Sequence, residues 1–229
     1  MPFPDLSDRL HEVREKIDSA VGRGGHGQTV KIVAVTKTHG PDAVQAAWEA
    51  GLPDVGENRV QEALPKMDSL ASSTVGVRWH LIGHLQRNKA KALPRFDLFH
   101  ALDSGRLADA VSAVGAAEGS PVRALMQVNV VGEESKGGFA RDEWEREAAH
   151  LRTMTGIDIR GVMTMAPFDA DEKTLRAVFA GARAARDVLR AAGHQATELS
   201  MGMSNDYEIA VEEGATYVRL GTVLFGARS

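Results

Sequence analysis

A chain of 229 residues, 43% hydrophobic and 25% charged, has the length for one large α/β unit or two small ones, and it can bury a core without covalent staples. It contains no cysteine, which excludes disulfides, thiolate metal centres and cysteine nucleophiles. Its net charge of -4 gives no bulk attraction to nucleic acid or to an anionic membrane.

The opening stretch, MPFPDLSDRLHEVREKI, is acidic and amphipathic and lacks the basic and apolar regions of a signal peptide. No apolar run approaches the roughly 20 residues of a membrane span, so a soluble cytoplasmic protein is expected. Leu6, Leu10, Val13, Ile17 and Ala20 fall at helical spacing and predict a helix over 6–21, with Asp5 or Ser7 as its cap. GRGGHG at 22–27 breaks the pattern. Short apolar runs then predict strands over 31–36, 54–55, 77–82, 98–101, 123–130, 160–165, 198–201 and 217–220. Helical patterns alternate with them over 41–50, 59–70, 86–93, 105–118, 141–155, 171–192 and 205–213. No linker or low-complexity tract divides the chain. The expectation is a single domain over 1–229, with a helix and loop over 1–27 and the strand–helix repeats over 28–229. Eight strands with intervening helices predict a (β/α)8 TIM barrel with an extra N-terminal helix. A doubly wound open sheet is the rival, because the second strand is short and weak. Both folds put ligands at the C-terminal ends of the strands, so the strand ends are where function is sought.

Lys37 follows the first strand, in VKIVAVTKTHG. By position alone it is a solvated strand end or a working amine. SMGMSND, 200–206, precedes a helix, with Ser204 or Asn205 able to cap it. RLGTVLFG puts Gly221 and Thr222 where a short terminal helix opens. Unpaired amides at helix starts attract phosphate, and barrels often use the loops after strands 7 and 8 for that purpose. In a closed barrel strand 8 is the neighbour of strand 1, so a phosphate site would face the Lys37 amine. That combination suggests pyridoxal 5'-phosphate held as a Schiff base. Arg219 shares a strand face with Gly221, and an arginine inside a barrel needs an acceptor. The pyridine nitrogen is one; an ion pair with Asp206 or Glu208 is the other reading. His80 and His84 flank the third strand's end without the third ligand a zinc site needs. His80 reads as inward-facing and His84 as a polar helix start. Arg87, Lys89, Lys91 and Arg95 read as a solvated helix face, and Lys136 as a loop residue.

AVTKT, VGENRVQE, WHLIGHLQRNK, VNVVGEESKGG and SMGMSNDYEIAVEEGATYVRLGTVLFG occur in order from about Val33 to Arg228. Together they resemble the pyridoxal phosphate homeostasis family. The resemblance implies a single barrel like the N-terminal domain of alanine racemase, with the cofactor linked to Lys37. It implies further cofactor contacts from Asn58, Ser200, Met201, Arg219, Gly221 and Thr222, with no metal and no catalytic residue assigned. It also implies a part in vitamin B6 and amino-acid balance without established turnover, with pyridoxal-phosphate-dependent apo-enzymes as candidate recipients. Thr36 stands where serine is common in the family, and His84 at a position that varies. The alternative is a racemase or another pyridoxal-phosphate enzyme. Racemisation needs two bases, and neither Tyr207 nor Tyr217 is an evident second one. A monomer is expected, because no second domain offers a dimerisation element.

Overall fold

The computed structural model describes residues 3–132 and 137–226, so Lys136 and most of the loop around it lie outside the described residues. Eight parallel strands close on themselves in sequence order: β1 Lys31–Val35, β2 Asp54–Glu57, β3 Arg78–Leu81, β4 Leu98–Leu102, β5 Val122–Gln127, β6 Ile157–Met163, β7 Glu198–Ser200 and β8 Tyr217–Leu220. The closing pair is β1–β8, with Lys31 opposite Tyr217 and Ala34 opposite Leu220. The barrel expectation holds and the open sheet does not. The weak second strand is present and longer than the expected 54–55, running Asp54–Glu57. DVGE is buried at all four positions because it is enclosed between β1 and β3.

The outer layer consists of α1 Leu6–Gly24, α2 Pro41–Glu49, α3 Val60–Leu70, α4 Gly105–Glu118, α5 Trp144–Arg152, α6 Glu172–Ala191, α7 Tyr207–Glu212 and α8 Thr222–Phe225. The local signals explain most boundaries. Leu6, Leu10, Val13, Ile17 and Ala20 form the buried stripe of α1, and Gly25 ends it in a left-handed conformation that costs glycine little. Pro41 occupies the first turn of α2, where its missing N–H costs nothing. Asp171 caps α6 by accepting the Thr174 amide at 2.8 Å. Two helical expectations change form. Residues Arg87–Arg95 make a 3-10 run with Pro94 inside it, and the helix expected over 141–155 begins as a 3-10 turn at Arg141–Glu143. In the described residues no helix is long and apolar enough to cross a membrane.

Side chains alternate across each strand. Lys31, Val33 and Val35 face the interior, and Ile32, Ala34 and Thr36 face the helices. On that outer side Thr36, Glu57 and Lys66 form a buried cluster that pins the end of β1. Thr36 Oγ1 donates to Glu57 Oε1 at 2.6 Å. Lys66 Nζ donates to the same oxygen at 2.7 Å and to the Thr36 carbonyl at 3.0 Å. Glu57 is fully enclosed, and its Oε2 has no hydrogen-bond partner among the described residues. The carboxylate therefore depends on Lys66 for its compensating charge.

Two experiments test this packing. Replacing Lys66 with methionine strands the Glu57 charge and should lower the unfolding free energy by about 3–5 kcal/mol. Adding Glu57→Gln to that variant should recover a large part of the loss in urea titrations. At Gly161, where β6 bulges against β5, an added Cβ would lie 1.9 Å from the Glu198 carbonyl oxygen. Gly161→Ala should therefore cost on the order of 3 kcal/mol. Gly22→Ala, in open space on α1, should instead stabilise by about 0.5 kcal/mol.

Candidate functional site

The C-terminal ends of β1, β2, β7 and β8 bring the sequence-predicted residues to one mouth of the barrel. Val35 pairs with Gly56 and Ala34 with Leu220, so the chain beyond these pairs carries Lys37, Asn58, Gly221 and Thr222 to the same end. Lys37 lies two residues beyond Val35, the last inward residue of β1. It is half-buried, and it makes a polar contact of its own. The turn that presents it is strained. Thr38 has φ 67, the only left-handed non-glycine residue of the described chain, and a β-branched side chain resists that conformation. Strain held next to a candidate amine is a recurring mark of a functional segment.

This turn is braced by Phe3, ahead of α1, and by Phe225 at the end of α8. The His39 imidazole packs at 5.4 Å from the Phe225 ring, which packs at 5.1 Å from Phe3. Arg9 on α1 donates to the Leu224 carbonyl. The loops after β1 and β8 are thus held against one another by aromatic contacts. At the start of α8, Gly221 and Thr222 supply amides that have no intrahelical acceptor by geometry. Ser204 accepts the Val223 amide at 3.3 Å, which ties the β7 loop to α8. Neither Ser204 nor Asn205 caps α7, as the sequence had suggested. Asp206 holds the N-cap position, and its Oδ1 accepts the Met203 amide at 2.6 Å.

Arg219 is 4% exposed and lies in the middle of β8. Its Nη1 donates to Ser200 Oγ at 2.7 Å and its Nη2 to the Thr164 carbonyl at 2.9 Å. Both acceptors are neutral, so the ion pair with Asp206 or Glu208 is not what holds it. Burial pushes the guanidinium down to about 10, with Asp206 opposing from longer range. It remains a cation at neutral pH. Burial also raises the Asp206 carboxyl, against the Met203 amide and Arg219, which lower it.

Ser200 and Met201 are both fully buried. The Ser200 hydroxyl lies between Arg219 and His100, whose Nδ1 is 2.8 Å away. Ser200 is thus connected to Arg219 on one side and to the barrel interior on the other. The Met201 amide donates to the Tyr217 carbonyl, and its side chain is enclosed on the outer face of β7. It supports the loop from below. The backbone of Asn58 crosses Gly83 so closely that a Cβ there would lie 2.4 Å from the Asn58 carbonyl oxygen. Glycine at 83 therefore lets the loops after β2 and β3 approach.

His80 does face inward, as expected, and is enclosed. His84 is exposed and pairs through Nδ1 with Asp103 at 2.7 Å. That pair borders a cavity of about 680 Å³ between the loops after β3 and β4, lined also by Arg87, Ser104 and Arg106. The cavity lies to one side of Lys37 and Arg219, neither of which lines it. The residues missed from the sequence are Glu57 and Lys66 beneath the Lys37 turn, and Asp54, His100 and Thr164 inside the barrel. Asp54 and His100 leave one local trace, a polar side chain at an inward strand position, which is visible only once the strand register is known.

Comparison with known proteins agrees with this architecture. Residues 9–229 match the family described as "Alanine racemase, N-terminal domain". The pyridoxal phosphate homeostasis protein of Aquifex aeolicus (strain VF5) is 38% identical over 224 residues, 96% of this chain and 97% of that protein. The protein of the same name from Pseudomonas aeruginosa is 37% identical over 225 residues, covering 97% and 96%. The solved structure of PipY from Synechococcus elongatus PCC7942 with PLP bound is 34% identical, covers 96% of this chain and all of that one, and superposes with a TM-score of 0.85. The chain belongs to the alanine racemase N-terminal domain family and, within it, to the pyridoxal phosphate homeostasis proteins.

Proposed function

We propose that this protein binds pyridoxal 5'-phosphate at the C-terminal mouth of the barrel, covalently through the Lys37 amine as a Schiff base, and serves as its carrier or regulator in the cytoplasm. The observation that carries the reading is the convergence of Lys37 and Arg219 at that mouth. One is an amine on a strained turn, and the other a buried cation whose direct hydrogen bonds go only to neutral acceptors. These residues fit the group. An aldehyde needs an amine, a pyridine nitrogen needs a donor, and a phosphate needs unpaired amides. The bound cofactor supplies a reversible electrophile for primary amines. Lys37 holds it, and the amides of Gly221 and Thr222 with the β7 loop hold its phosphate. Asn58 borders it from the β2 side, and Ser200 and Met201 set the floor beneath.

Arg219 supports a carrier over a turnover enzyme. Its guanidinium stays charged at neutral pH, so a ring nitrogen opposite it keeps its lone pair and remains a weak electron sink. Recipients are pyridoxal-phosphate-dependent apo-enzymes, and the working unit is the monomer.

Incubation with pyridoxal phosphate, borohydride reduction and peptide mapping should place a pyridoxyl label on Lys37. Lys37→Ala should keep the circular-dichroism spectrum and lose the label. Retention of labelling at the wild-type level would show that another amine is used. Arg219→Gln should keep covalent labelling, weaken affinity about tenfold and change the visible band of the bound cofactor. An unchanged band and affinity would remove Arg219 from the site.

A further inference from the structure

Five enclosed side chains form one unbroken line of hydrogen bonds through the barrel interior. Arg219 Nη1 lies 2.7 Å from Ser200 Oγ, which lies 2.8 Å from His100 Nδ1. His100 Nε2 lies 2.8 Å from His80 Nδ1, and His80 Nε2 lies 2.9 Å from Asp54 Oδ1. The line joins strands β8, β7, β4, β3 and β2. It begins at the third residue of β8 and ends at the first residue of β2, where Arg78, half exposed at the opposite mouth, also pairs with Asp54.

With both imidazoles neutral, the charges at its ends set the direction of every bond. Burial alone would raise the Asp54 carboxyl, but hydrogen bonds from His80 and Arg78 hold it down to about 2, so it accepts. His80 Nε2 is then the donor. A neutral His80 accepts at Nδ1, so His100 donates from Nε2 and accepts at Nδ1. Ser200 donates its proton to that nitrogen and accepts from Arg219. Each atom in the line has one role. The reverse order requires a cationic His80 and leaves the Ser200 proton without a partner in the line. Burial, with His80 and Arg219 as neighbours, also pushes His100 well below its usual range, consistent with a neutral ring. Tyr217 packs against both imidazoles, with ring centroids 5.6 and 5.8 Å away, and keeps the pair in place.

We propose that His100, His80 and Asp54 are positioning residues that act through Ser200 to hold the Arg219 guanidinium in one orientation toward the cofactor's ring nitrogen. The bearing on the ring nitrogen rests on the binding reading given above; the orientation of Arg219 is a property of the protein alone. A dipolar line running from a buried cation to a buried anion keeps the guanidinium from turning toward other carbonyls at the mouth. Truncating the line leaves Ser200 free to rotate and Arg219 with a single fixed acceptor, the Thr164 carbonyl.

The test is side-chain nitrogen NMR on the full-length protein without cofactor, followed by titration with pyridoxal phosphate. In the wild type, His80 and His100 should both show the coupling pattern of the neutral Nε2–H tautomer at pH 7. The Arg219 Nη signals should be separately resolved and slow to exchange. His100→Leu should raise that exchange at least tenfold, and His100→Gln, whose amide can accept from Ser200 and donate to His80, should restore much of the protection. In the titration, His100→Leu should weaken affinity about tenfold and shift the visible band in the same sense as Arg219→Gln. An Nδ1–H tautomer or a cationic ring at either histidine in the wild type overturns the proposal without any variant having to fold. So does unchanged Arg219 exchange in a folded His100→Leu. Absence of a borohydride-trapped label on wild-type Lys37 would instead defeat the binding reading, and the exchange data would still decide whether the line orients Arg219.

Discussion

The burial of one guanidinium shapes the barrel interior. Parallel barrels are ordinarily filled by layers of branched apolar side chains. Here Arg219 occupies an inward position on β8, and a permanent cation in that place is stable only with acceptors around it. Thr164 offers a carbonyl and Ser200 a hydroxyl, and Ser200 in turn needs a partner of its own. The requirement passes through His100 and His80 until it ends on Asp54. Lys31, Tyr217 and Glu198 continue the polar interior at the same end, with Lys31 bonded to the Tyr217 hydroxyl at 3.0 Å and 3.6 Å from Glu198. The hydrophobic contribution that a conventional barrel draws from its centre must come from elsewhere. Much of it comes from the layer between strands and helices, where Phe99, Leu81 and Phe179 are fully enclosed.

The first strand works on both faces. Its inward row leads to Lys37, and its outward row ends at Thr36, which Glu57 and Lys66 clamp from the side of α3. A buried ion pair contributes little net stability when weighed against an apolar pair of the same size. What it provides is position, because two oxygens of Thr36 are held on opposite bonds. The residue after Thr36 therefore leaves the sheet at a fixed point, and the left-handed Thr38 turns the chain away at once. A flexible strand end would let Lys37 extend into water, as a lysine at a strand terminus ordinarily does.

How much of this is legible in the sequence depends on the range of the interaction. Buried strands appear as apolar runs, and the predicted and observed boundaries of β1, β4 and β8 differ by no more than a residue. DVGE is poor in apolar residues, and it is a strand because of its neighbours, so propensity understated it. Residues 86–93 carry a helical pattern, yet Pro94 and the short span between β3 and β4 tighten it to a 3-10 run. Lys37, Gly221 and Thr222 are legible as candidates because they sit at strand ends, and Arg219 because it shares a strand face with Gly221. Asp54, His100 and Lys66 are not. The first partner of His100 is 20 residues away and the second 100. No local period encodes that, and Lys66 reads as one more surface lysine until Glu57 is found beneath it.

The helix that precedes the barrel belongs to the site as much as to the scaffold. Close approach of α1 to the end of α7 requires Gly24, where a Cβ would lie 2.4 Å from the Glu212 carbonyl oxygen. Arg23 secures the same junction by a 2.6 Å bond to Glu212, which Arg176 on α6 also holds. At its other end, α1 reaches α8 through Arg9 and through Phe3. Short helices such as α7, with six residues, and α8, with four, are marginal by themselves and take their stability from packing. Both follow the strands that end at the candidate site. By gripping them along one side, α1 fixes the amides that open α8 and, through Phe225 and His39, the turn that carries Lys37. The residues that would meet a ligand's phosphate and its aldehyde thus share one brace, so a displacement of α1 would move both ends of the site together.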